Sequence, residues 1–390
     1  MSERMDAESP IIFSTGQARL LRRGDLPNCD PWHRVFQGRC KDHRFYEIID
    51  DTIEGFEHFY LQLEDITGVV RAIQPVFIVR QKLDEGTRGP LKSFTTSIRN
   101  RFPRFLTMRI LMVGCVSGEG HLGVVSEDDV AWTVQALREC LKPVAQRLSA
   151  SLIVMKDFPL EYRAALSGFS RTGYARVPSM PMTQLRLGHK NFDDYLATLS
   201  RVTRKGLRRK FRKTEEATKI ELEVMEDISP YVDEVYPLYL QVHERSSMKF
   251  ERLTKEYLAN LGKRMPDRAR FFIWRQQGKA VAFSVCMLCG DTLYDEYLGM
   301  DYSVALALHL YFYTVRDIIT WALEQGIRSY VSSPLNYDPK LHLGCALRPL
   351  DLYVMHTAKL LNPPFRVALK LFEPTRHDPV LQRFPNAHEL

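Results

Sequence analysis

The chain has 390 residues, of which 45% are hydrophobic and 26% are charged, and its formal net charge is +7. This composition is typical of a globular protein, and the length exceeds what a single hydrophobic core usually holds, so two domains are expected. The modest positive charge permits an anionic substrate or cofactor but does not by itself indicate nucleic-acid binding.

The cysteines, the N-terminal residues and the lengths of the apolar runs indicate the cellular compartment in which the protein is expected. The seven cysteines are odd in number and irregularly spaced, which argues against a disulfide framework and favours a reducing compartment. The start, MSERMDAESP, lacks the basic end and the apolar core of a signal peptide. No apolar run reaches the roughly 18 residues that a bilayer span needs. We therefore expect a cytoplasmic protein with no membrane partner.

The first half of the chain is predicted to alternate strands and helices. Residues 1–30 mix polar, Pro and Gly residues and are expected to form an extended arm. Two apolar runs then form a hairpin, with its turn at Ile66, Thr67 and Gly68. A strand, LTMRILMVG, leads through a glycine-rich loop to a helix capped by Ser126. The strand ASLIVMKDF, a second helix and a closing strand, RVPSMPMTQLRL, complete this half.

The second half repeats a similar order. The run NFDDYLATLSRVTRKGLRRKFRK predicts an amphipathic helix. Three antiparallel strands follow, with turns at Gln277-Gly278 and Gly290-Asp291. The strand LYDEYLGM, the helix ALHLYFYTVRDIITWALEQG and the strand IRSYVSSP then predict a βαβ unit, with DLYVMHTA as its third strand.

The recurrence of this order at 105–187 and 293–358 predicts two tandem copies of one α/β module. The predicted boundaries are an N-terminal arm at 1–30, a first domain at 31–188, a second domain at 189–360 and a C-terminal tail at 361–390.

Polar residues at the carboxyl ends of the second module's strands form the predicted site, because ligands of α/β sheets usually bind there. Glu296 in LYDEYLGM is a candidate general base for an amine, and Tyr337 a candidate acid for a leaving thiolate or hydroxyl. The alternatives are an ion-paired strand carboxylate and a turn tyrosine. Candidate substrate-binding residues are Asp301, Tyr302, Ser332, Ser333, Lys340 and His342.

A second candidate site is the loop GCVSGEGHLG in the first module. Its glycines and the following helix N-terminus could bind a pyrophosphate of a cofactor. The spacing matches neither the dinucleotide-binding motif nor the P-loop, and the alternative is a glycine-rich turn. The candidate cofactor-binding residues are Gly114, Ser117, Gly118 and Gly120.

The run at 201–213 carries eight basic residues in thirteen positions. It could bind RNA, phosphate or an acidic polymer, although its single aromatic residue, Phe211, offers little base stacking. The alternative is a solvated basic face on an amphipathic helix. Cys286 and Cys289 form a CxxC, but strand positions three apart point to opposite faces and no second pair exists, so no metal site is expected.

Taken in order, the basic run after FDDYL, the segment YLGMDYSVALALHLYFYTVRDIITWALEQG and the segment LNYDPKLHLG resemble the Fem-like branch of the GNAT acetyltransferase superfamily. That branch includes the BioF2-like domain and the peptidoglycan aminoacyltransferases. The resemblance is strongest over 191–358 and includes Tyr337 and Lys340 in a Tyr-x-x-Lys motif followed by Leu343 and Gly344. It implies tandem GNAT-like domains, each with a mixed, mostly antiparallel sheet, a central βαβ unit and flanking helices.

The resemblance also implies transfer of an acyl or aminoacyl group to a small-molecule or peptide amine. The favoured donor is acetyl-CoA or another acyl-CoA, without a metal. Superfamily members that use acetyl-CoA often carry a glycine-containing loop after the central strand, whereas DYSVALAL at 301–308 has no glycine. One alternative is therefore a Fem-like aminoacyltransferase that takes its group from aminoacyl-tRNA. The other is a catalytically inactive binding protein that has kept the fold.

Overall fold

The computed structural model describes residues 9–26, 30–82, 107–246, 248–371 and 373–390. Its described residues divide into two compact units that are discontinuous in sequence. The first unit takes in the described parts of 1–37, 54–179 and 350–373, and the second takes in 38–53, 180–349 and 374–390. These units differ from the predicted continuous domains 31–188 and 189–360. Residues 38–53 belong to the second unit, and residues 350–373 belong to the first.

The first unit contains an eight-stranded sheet in the order β1-β2-β3-β4-β5-β6-β15-β7. Only β5 and β6 run parallel among its described pairs, and they are joined through α3. Its strands are β1 (Ile11–Phe13), β2 (Gly16–Leu21), β3 (Phe56–Asp65), β4 (Val70–Lys82), β5 (Thr107–Val113), β6 (Leu152–Pro159), β7 (Ala175–Pro178) and β15 (Leu350–His356). Its helices are α1 (Asp30–Arg34), α3 (Val130–Arg147), α4 (Arg163–Arg171) and α11 (Asn362–Leu371).

The second unit contains a seven-stranded sheet in the order β14-β8-β13-β12-β11-β10-β9. Its described parallel pair is β12 and β13, joined through α9. Its strands are β8 (Met182–Arg186), β9 (Ile220–Met225), β10 (Ala269–Gln276), β11 (Lys279–Cys289), β12 (Thr292–Met300), β13 (Ser329–Ser332) and β14 (Ala346–Arg348). Its helices are α2 (His43–Thr52), α5 (Phe192–Thr198), α6 (Arg201–Ala217), α7 (Val232–Arg245), α8 (Lys255–Arg264), α9 (Leu310–Glu324) and α10 (Tyr337–His342).

The two sheets therefore share one topology, as the recurrence in the sequence predicted. Each is a run of antiparallel strands followed by one parallel pair and two further strands. The prediction of tandem modules with mixed, mostly antiparallel sheets and a central βαβ unit is confirmed. Hydrophobic side chains form a separate core in each unit, with Leu111, Ile153 and Leu137 fully buried in the first and Trp274, Ile318 and Leu293 in the second.

Two strands, β8 and β15, do not belong to the sheet that the sequence predicted for them. The segment RVPSMPMTQLRL was predicted as one strand, but it forms β7 in the first sheet and β8 in the second. DLYVMHTA was predicted as the third strand of the second module, yet as β15 it pairs with β6 and β7 of the first sheet. Alternation of polar and apolar residues predicts a strand but carries no information on its partner.

The predicted N-terminal arm is instead part of the first sheet. Ile11 and Phe13 are buried, and β1 pairs with β2, which pairs in turn with β3. The short apolar patch that the sequence shows is enough to cover the end of the core. The hairpin turn at Gly68 agrees with its prediction, since this glycine has a φ of +82°, a conformation that favours glycine.

The predicted basic helix is divided into two. α5 ends at Thr198, Leu199 is extended, and the Ser200 side chain accepts a hydrogen bond from the Thr203 N–H to begin α6. Leu207 and Phe211 of α6 are buried one turn apart, as expected for an amphipathic helix. No helix in the described part of the chain is both long enough and apolar enough to cross a bilayer.

Candidate functional site

The parallel pair β12 and β13 separates at the point where the sequence placed its candidate site. The ladder runs from Thr292↔Ser329 to Asp295↔Ser332, and the Ser333 N–H makes a last hydrogen bond to the Asp295 carbonyl. β12 then continues to Met300 while the described ladders pair it with β11 alone. One edge of residues 296–300 is thus left beside the end of β13 without a strand partner among the described residues.

Glu296 is the first residue beyond this point and forms a β-bulge. On β11, Val285 pairs with Tyr297 and Cys286 pairs with Asp295, so Glu296 is the extra residue of its strand. Such a bulge redirects side chains and is common next to active sites. Asp295 and Glu296 are consecutive carboxylates in different surroundings.

The Glu296 carboxylate is buried in an ion pair. Its Oε2 lies 3.0 Å from Nζ of Lys41, and both side chains are less than a tenth exposed. Lys41 comes from the segment 38–53, which the sequence had assigned to the other domain. The predicted base therefore has a cationic partner that no local pattern in the sequence could identify. Losing one member of such a pair would leave an uncompensated buried charge.

Asp295 is held by hydroxyl groups instead of by a cation. Ser284 Oγ donates to its Oδ1 at 2.5 Å, and Tyr330 OH donates to its Oδ2 at 2.6 Å. Burial raises the pKa of Asp295, and these hydrogen bonds together with the charge of Lys340 oppose the rise. A carboxyl group with a raised pKa beside an unpaired strand edge is a candidate proton acceptor. The burial that raises the pKa of Asp295 arises from tertiary packing and leaves no local pattern in the sequence, although Asp295 adjoins Glu296.

Lys340 lies under the loop that follows β13. Its Nζ donates to the carbonyl of Leu335 at 2.9 Å and to the carbonyl of Ser333. Leu335 and Asn336 both have positive φ angles, 73° and 51°, which are strained for residues other than glycine. Burial lowers the pKa of Lys340 to about 8. Lys340 thus fixes the loop beside the open strand edge, and a direct contact with substrate stays a prediction.

The predicted acid Tyr337 occupies a packing position. It is 4% exposed, and its hydroxyl donates to the Pro181 carbonyl at 2.8 Å. Its ring contacts Phe384 edge to face, in a small core that also contains Leu347 and Leu381. These contacts favour a structural role and give no support to proton donation by this hydroxyl.

The other predicted substrate-binding residues do not form one group. Asp301 caps the turn after β12, accepting hydrogen bonds from the Ser303 N–H and hydroxyl. The Tyr302 ring lies under the Arg245 guanidinium. Ser332 is buried in β13, where it pairs with Thr183, and Ser333 follows it. His342 lies on α10, half-exposed, with Nδ1 2.8 Å from the Asp338 carbonyl oxygen.

The glycine-rich loop of the first unit is buried, and its backbone donors bind protein. The Gly114 N–H donates to the Pro75 carbonyl and the Gly120 N–H to the Asp157 carbonyl. A Cβ at Gly120 would lie 2.3 Å from the Lys156 carbonyl oxygen, so close packing requires glycine there. The predicted pyrophosphate contact gains no support at Gly114 or Gly120. Ser117 is fully buried, and the Gly118 carbonyl accepts from Lys156 Nζ.

The connection from β12 to α9 forms backbone hydrogen bonds within itself. The N–H groups of Val304 and Ala305 donate to the Asp301 carbonyl, and the Leu308 N–H donates to the Val304 carbonyl. His309 begins α9 in a left-handed conformation. Burial lowers the pKa of His309, and the positive charges of Lys213, Lys210 and Arg209 lower it further. The basic face of α6 therefore lies near this connection.

Among the described residues, no group of three or more His, Cys, Asp or Glu side chains is arranged to hold a metal ion.

The pKa of Lys340 predicts a specific pH dependence of stability. Its pKa is lower in the folded protein than in the unfolded chain, so between about pH 8 and 10.5 the unfolded chain binds more protons. Raising the pH through this window should therefore stabilise the folded state, by roughly 3 kcal/mol in all. Urea unfolding at several pH values, compared with Lys340→Met, isolates this contribution. Parallel curves for the two proteins would contradict the assignment, and the exposed Lys263→Met is the matched control.

Comparisons with known proteins bear on the family and the fold of the chain. The family model described as "Acetyltransferase (GNAT) domain" matches residues 201–338, which include β12, β13 and α9. The curated relatives are proteins of Mycobacterium tuberculosis named "Putative 8-amino-7-oxononanoate synthase 2", 21% identical over 319 residues. That match covers 80% of this chain and spans 41% of the length of those relatives.

Two solved structures share the fold. The crystal structure of FemX is 12% identical, with a TM-score of 0.52, and the match covers 83% of this chain and 95% of FemX. The structure of L-PGS from Bacillus licheniformis is 13% identical, with a TM-score of 0.50, over 86% of this chain and 97% of that protein. The chain therefore has a tandem GNAT fold of the Fem type, and its residues 201–338 match the GNAT acetyltransferase domain.

Proposed function

We propose that the chain is an N-acyltransferase whose reaction takes place in the second unit, where β12 and β13 separate. The observation that carries this proposal is the end of their ladder at Asp295↔Ser332 while β12 continues to Met300. A strand edge without a partner strand offers backbone N–H groups at fixed positions. Such donors can bind the acyl carbonyl and stabilise the oxyanion that forms when an amine attacks it.

The first unit is less suited to the same reaction. Its parallel pair, β5 and β6, ends at Val113↔Met155. The glycine-rich loop then returns, and the Gly120 N–H donates to the Asp157 carbonyl just beyond the end of that ladder. The Gly120 N–H is thus already bonded within the protein and is not available to an acyl carbonyl. This difference supports activity in the second unit and a structural role for the first.

The amine must lose a proton as it attacks the carbonyl. Glu296 is our proposed acceptor, directly or through water, because the bulge places it at the start of the open edge. Lys41 pairs with this carboxylate at 3.0 Å and places a positive charge beside it. Asp295 is the neighbouring candidate, because burial raises its pKa. The thiolate or alkoxide that leaves would take its proton from the solvent or from the carboxyl group that accepted the amine's proton.

Substitution of Glu296 tests the proton acceptor. Glu296→Gln should lower kcat/KM by about 10²–10⁴-fold, because a positioned base contributes that much. Thiol release from acetyl-CoA with a panel of primary amines provides the assay, and Glu244→Gln on the exposed face of α7 is the control. Glu296→Gln leaves the buried Lys41 charge without its partner, and the double variant Lys41→Met, Glu296→Gln removes that charge as well. Circular dichroism checks that each variant folds. Full activity of both Glu296→Gln and Asp295→Asn would contradict a carboxylate base on β12.

The donor that we favour is an acyl-CoA, and the basic face of α6 would supply its phosphate contacts. Several N–H groups of the connection after β12 donate to carbonyls within the same connection. These N–H groups are therefore not available to bind phosphate, as the backbone of a glycine-rich loop would, and side chains would have to do so. Lys210, Lys213 and Arg209 lie close enough to His309 to lower its pKa. Cationic side chains next to a helix N-terminus attract phosphate.

The same surface favours a second candidate donor, aminoacyl-tRNA, as in the Fem-type enzymes that the sequence resembles. Six basic residues of α6 are exposed, more than one acyl-CoA molecule needs: Arg201, Lys205, Arg208, Arg209, Arg212 and Lys213. Binding to the phosphates of RNA through these side chains would release counterions and weaken as salt rises.

Direct binding distinguishes the two donors. Acetyl-CoA and longer acyl-CoAs are titrated calorimetrically, and tRNA is tested by gel shift at several salt concentrations. An acyl-CoA donor predicts saturable binding of at least one acyl-CoA. A tRNA donor predicts a salt-dependent shift that is lost in Arg208→Ala, Arg209→Ala, Arg212→Ala. The matched control removes three exposed basic residues elsewhere in the second unit, Lys249, Arg252 and Lys263. Failure of both donors to bind would leave the inactive binding protein as the better account.

A further inference from the structure

Cys40 and Cys289 are far apart in the sequence but meet in the second unit. Cys289 ends β11, and Cys40 lies two residues after the start of the segment 38–53. The Cys289 thiol donates to the Gly38 carbonyl at 3.6 Å, and one Arg268 nitrogen contacts both the Cys40 carbonyl oxygen and Cys289 Sγ, so the two cysteines are neighbours. Both side chains are partly exposed, whereas the other four cysteines that the structure describes are buried. A small oxidant can therefore reach this pair more easily than those four buried cysteines.

The surroundings of Cys289 favour its thiolate. Arg268 Nη1 lies 4.0 Å from Cys289 Sγ and donates to the Cys40 carbonyl at 3.1 Å. The adjacent Cys40 thiol lowers the pKa of Cys289 to about 6, and the charges of Arg268 and Arg39 lower it further, whereas burial and the charge of Asp42 oppose this. The neighbouring Cys289, together with burial, raises the pKa of Cys40. The pair therefore combines a nucleophilic thiolate with a neighbouring thiol that can resolve its oxidation.

We propose that Cys40 and Cys289 are a modification site for oxidants of the peroxide class, at which the two residues become joined by a disulfide. The Cys289 thiolate attacks a peroxide oxygen, the O–O bond breaks, and the released hydroxide takes a proton to become water. The sulfenic acid formed on Cys289 is then attacked by the Cys40 sulfur, which loses its proton as a second water leaves. Two thiols are oxidised by two electrons in total, and one hydrogen peroxide is reduced to two waters.

The disulfide would act on the candidate site through Lys41, the residue after Cys40. At present the segment 38–53 is held in the second unit by noncovalent contacts, including Arg44 with Asp267 and Lys41 with Glu296. A covalent bond from Cys40 to the end of β11 would prevent Lys41 from leaving Glu296 when the segment loosens. This inference concerns the thiols themselves and does not depend on the proposed acyl transfer.

Mapping of disulfides after mild oxidation tests the proposal. The full chain is treated with hydrogen peroxide, alkylated, digested without reductant and analysed by mass spectrometry. We expect a linked Cys40–Cys289 peptide, while Cys140 and Cys286 stay alkylatable after unfolding. The linked protein should melt at a higher temperature until reductant is added, because a disulfide restricts the unfolded chain. Cys40→Ser should show neither the link nor the shift.

Two results would overturn the proposal. One is a Cys289 that stays reduced at peroxide concentrations that oxidise Cys140. The other is a link from Cys289 to Cys29, a residue outside the described part of the chain, which the variant Cys29→Ser would then abolish. Formation of the Cys40–Cys289 link in Cys29→Ser supports the assignment.

The rate of alkylation provides an independent readout without oxidation. At pH 7, iodoacetamide should modify Cys289 about tenfold or more faster than Cys140, because only thiolates react. In Cys40→Ala and in Arg268→Ala the midpoint of the rate–pH profile of Cys289 should move to higher pH, since each removes a group that stabilises the thiolate. Cys140→Ala is the control, and an unchanged midpoint in both test variants would contradict the thiolate.

Discussion

The separation of β12 from β13 after Asp295 is the constraint on which the candidate site depends. A strand in the middle of a sheet normally has both edges paired, and here the second edge of 296–300 lacks a partner strand among the described residues. The bulge at Glu296 and the loop fixed by Lys340 both lie at this point. Each costs free energy, through a buried charge or a strained backbone, and such costs concentrate at functional sites. The surrounding sheet and α9 supply the rigid frame that keeps the edge open.

The chain passes from one sheet to the other twice, so each sheet contains a strand from the part of the sequence that was predicted to form the other one. β8 follows β7 in sequence but joins the second sheet, and β15 follows β14 but joins the first. The segment 38–53 likewise belongs to the second unit and brings Lys41 to Glu296 and Cys40 to Cys289. Neither unit is complete without residues from the other half of the sequence. In the first unit the loop around Gly120 is bonded to the backbone beyond the end of the parallel ladder of β5 and β6. The half of the sequence that forms most of this unit nevertheless supplies residues 38–53 to the second unit.

Local patterns in the sequence were sufficient for the tandem architecture, the hairpin turns, the amphipathic face of α6 and the position of Glu296. These features depend on periodicity, on glycine at turns and on the order of elements, all of which are visible in the chain. Strand partners and ion pairs between distant residues were not predictable in the same way. The exchange of β8 and β15, the Lys41–Glu296 pair and the hydroxyl groups around Asp295 arise only from tertiary packing. Tyr337 shows the converse, since a residue in a promising motif proved to have its hydroxyl bonded to the Pro181 carbonyl.

We propose that the open edge of β12 binds the acyl carbonyl. A crystal structure of the full chain with a non-hydrolysable thioether analogue of an acyl-CoA tests it most directly, with an aminoacyl-tRNA 3′-end analogue as the alternative ligand. We expect the carbonyl oxygen of the bound acyl group to accept a hydrogen bond from a backbone N–H within 296–300, with Glu296 on the side from which the amine attacks. Binding of the acyl group beside β5 and β6 of the first unit, with the edge of β12 left empty, would contradict it.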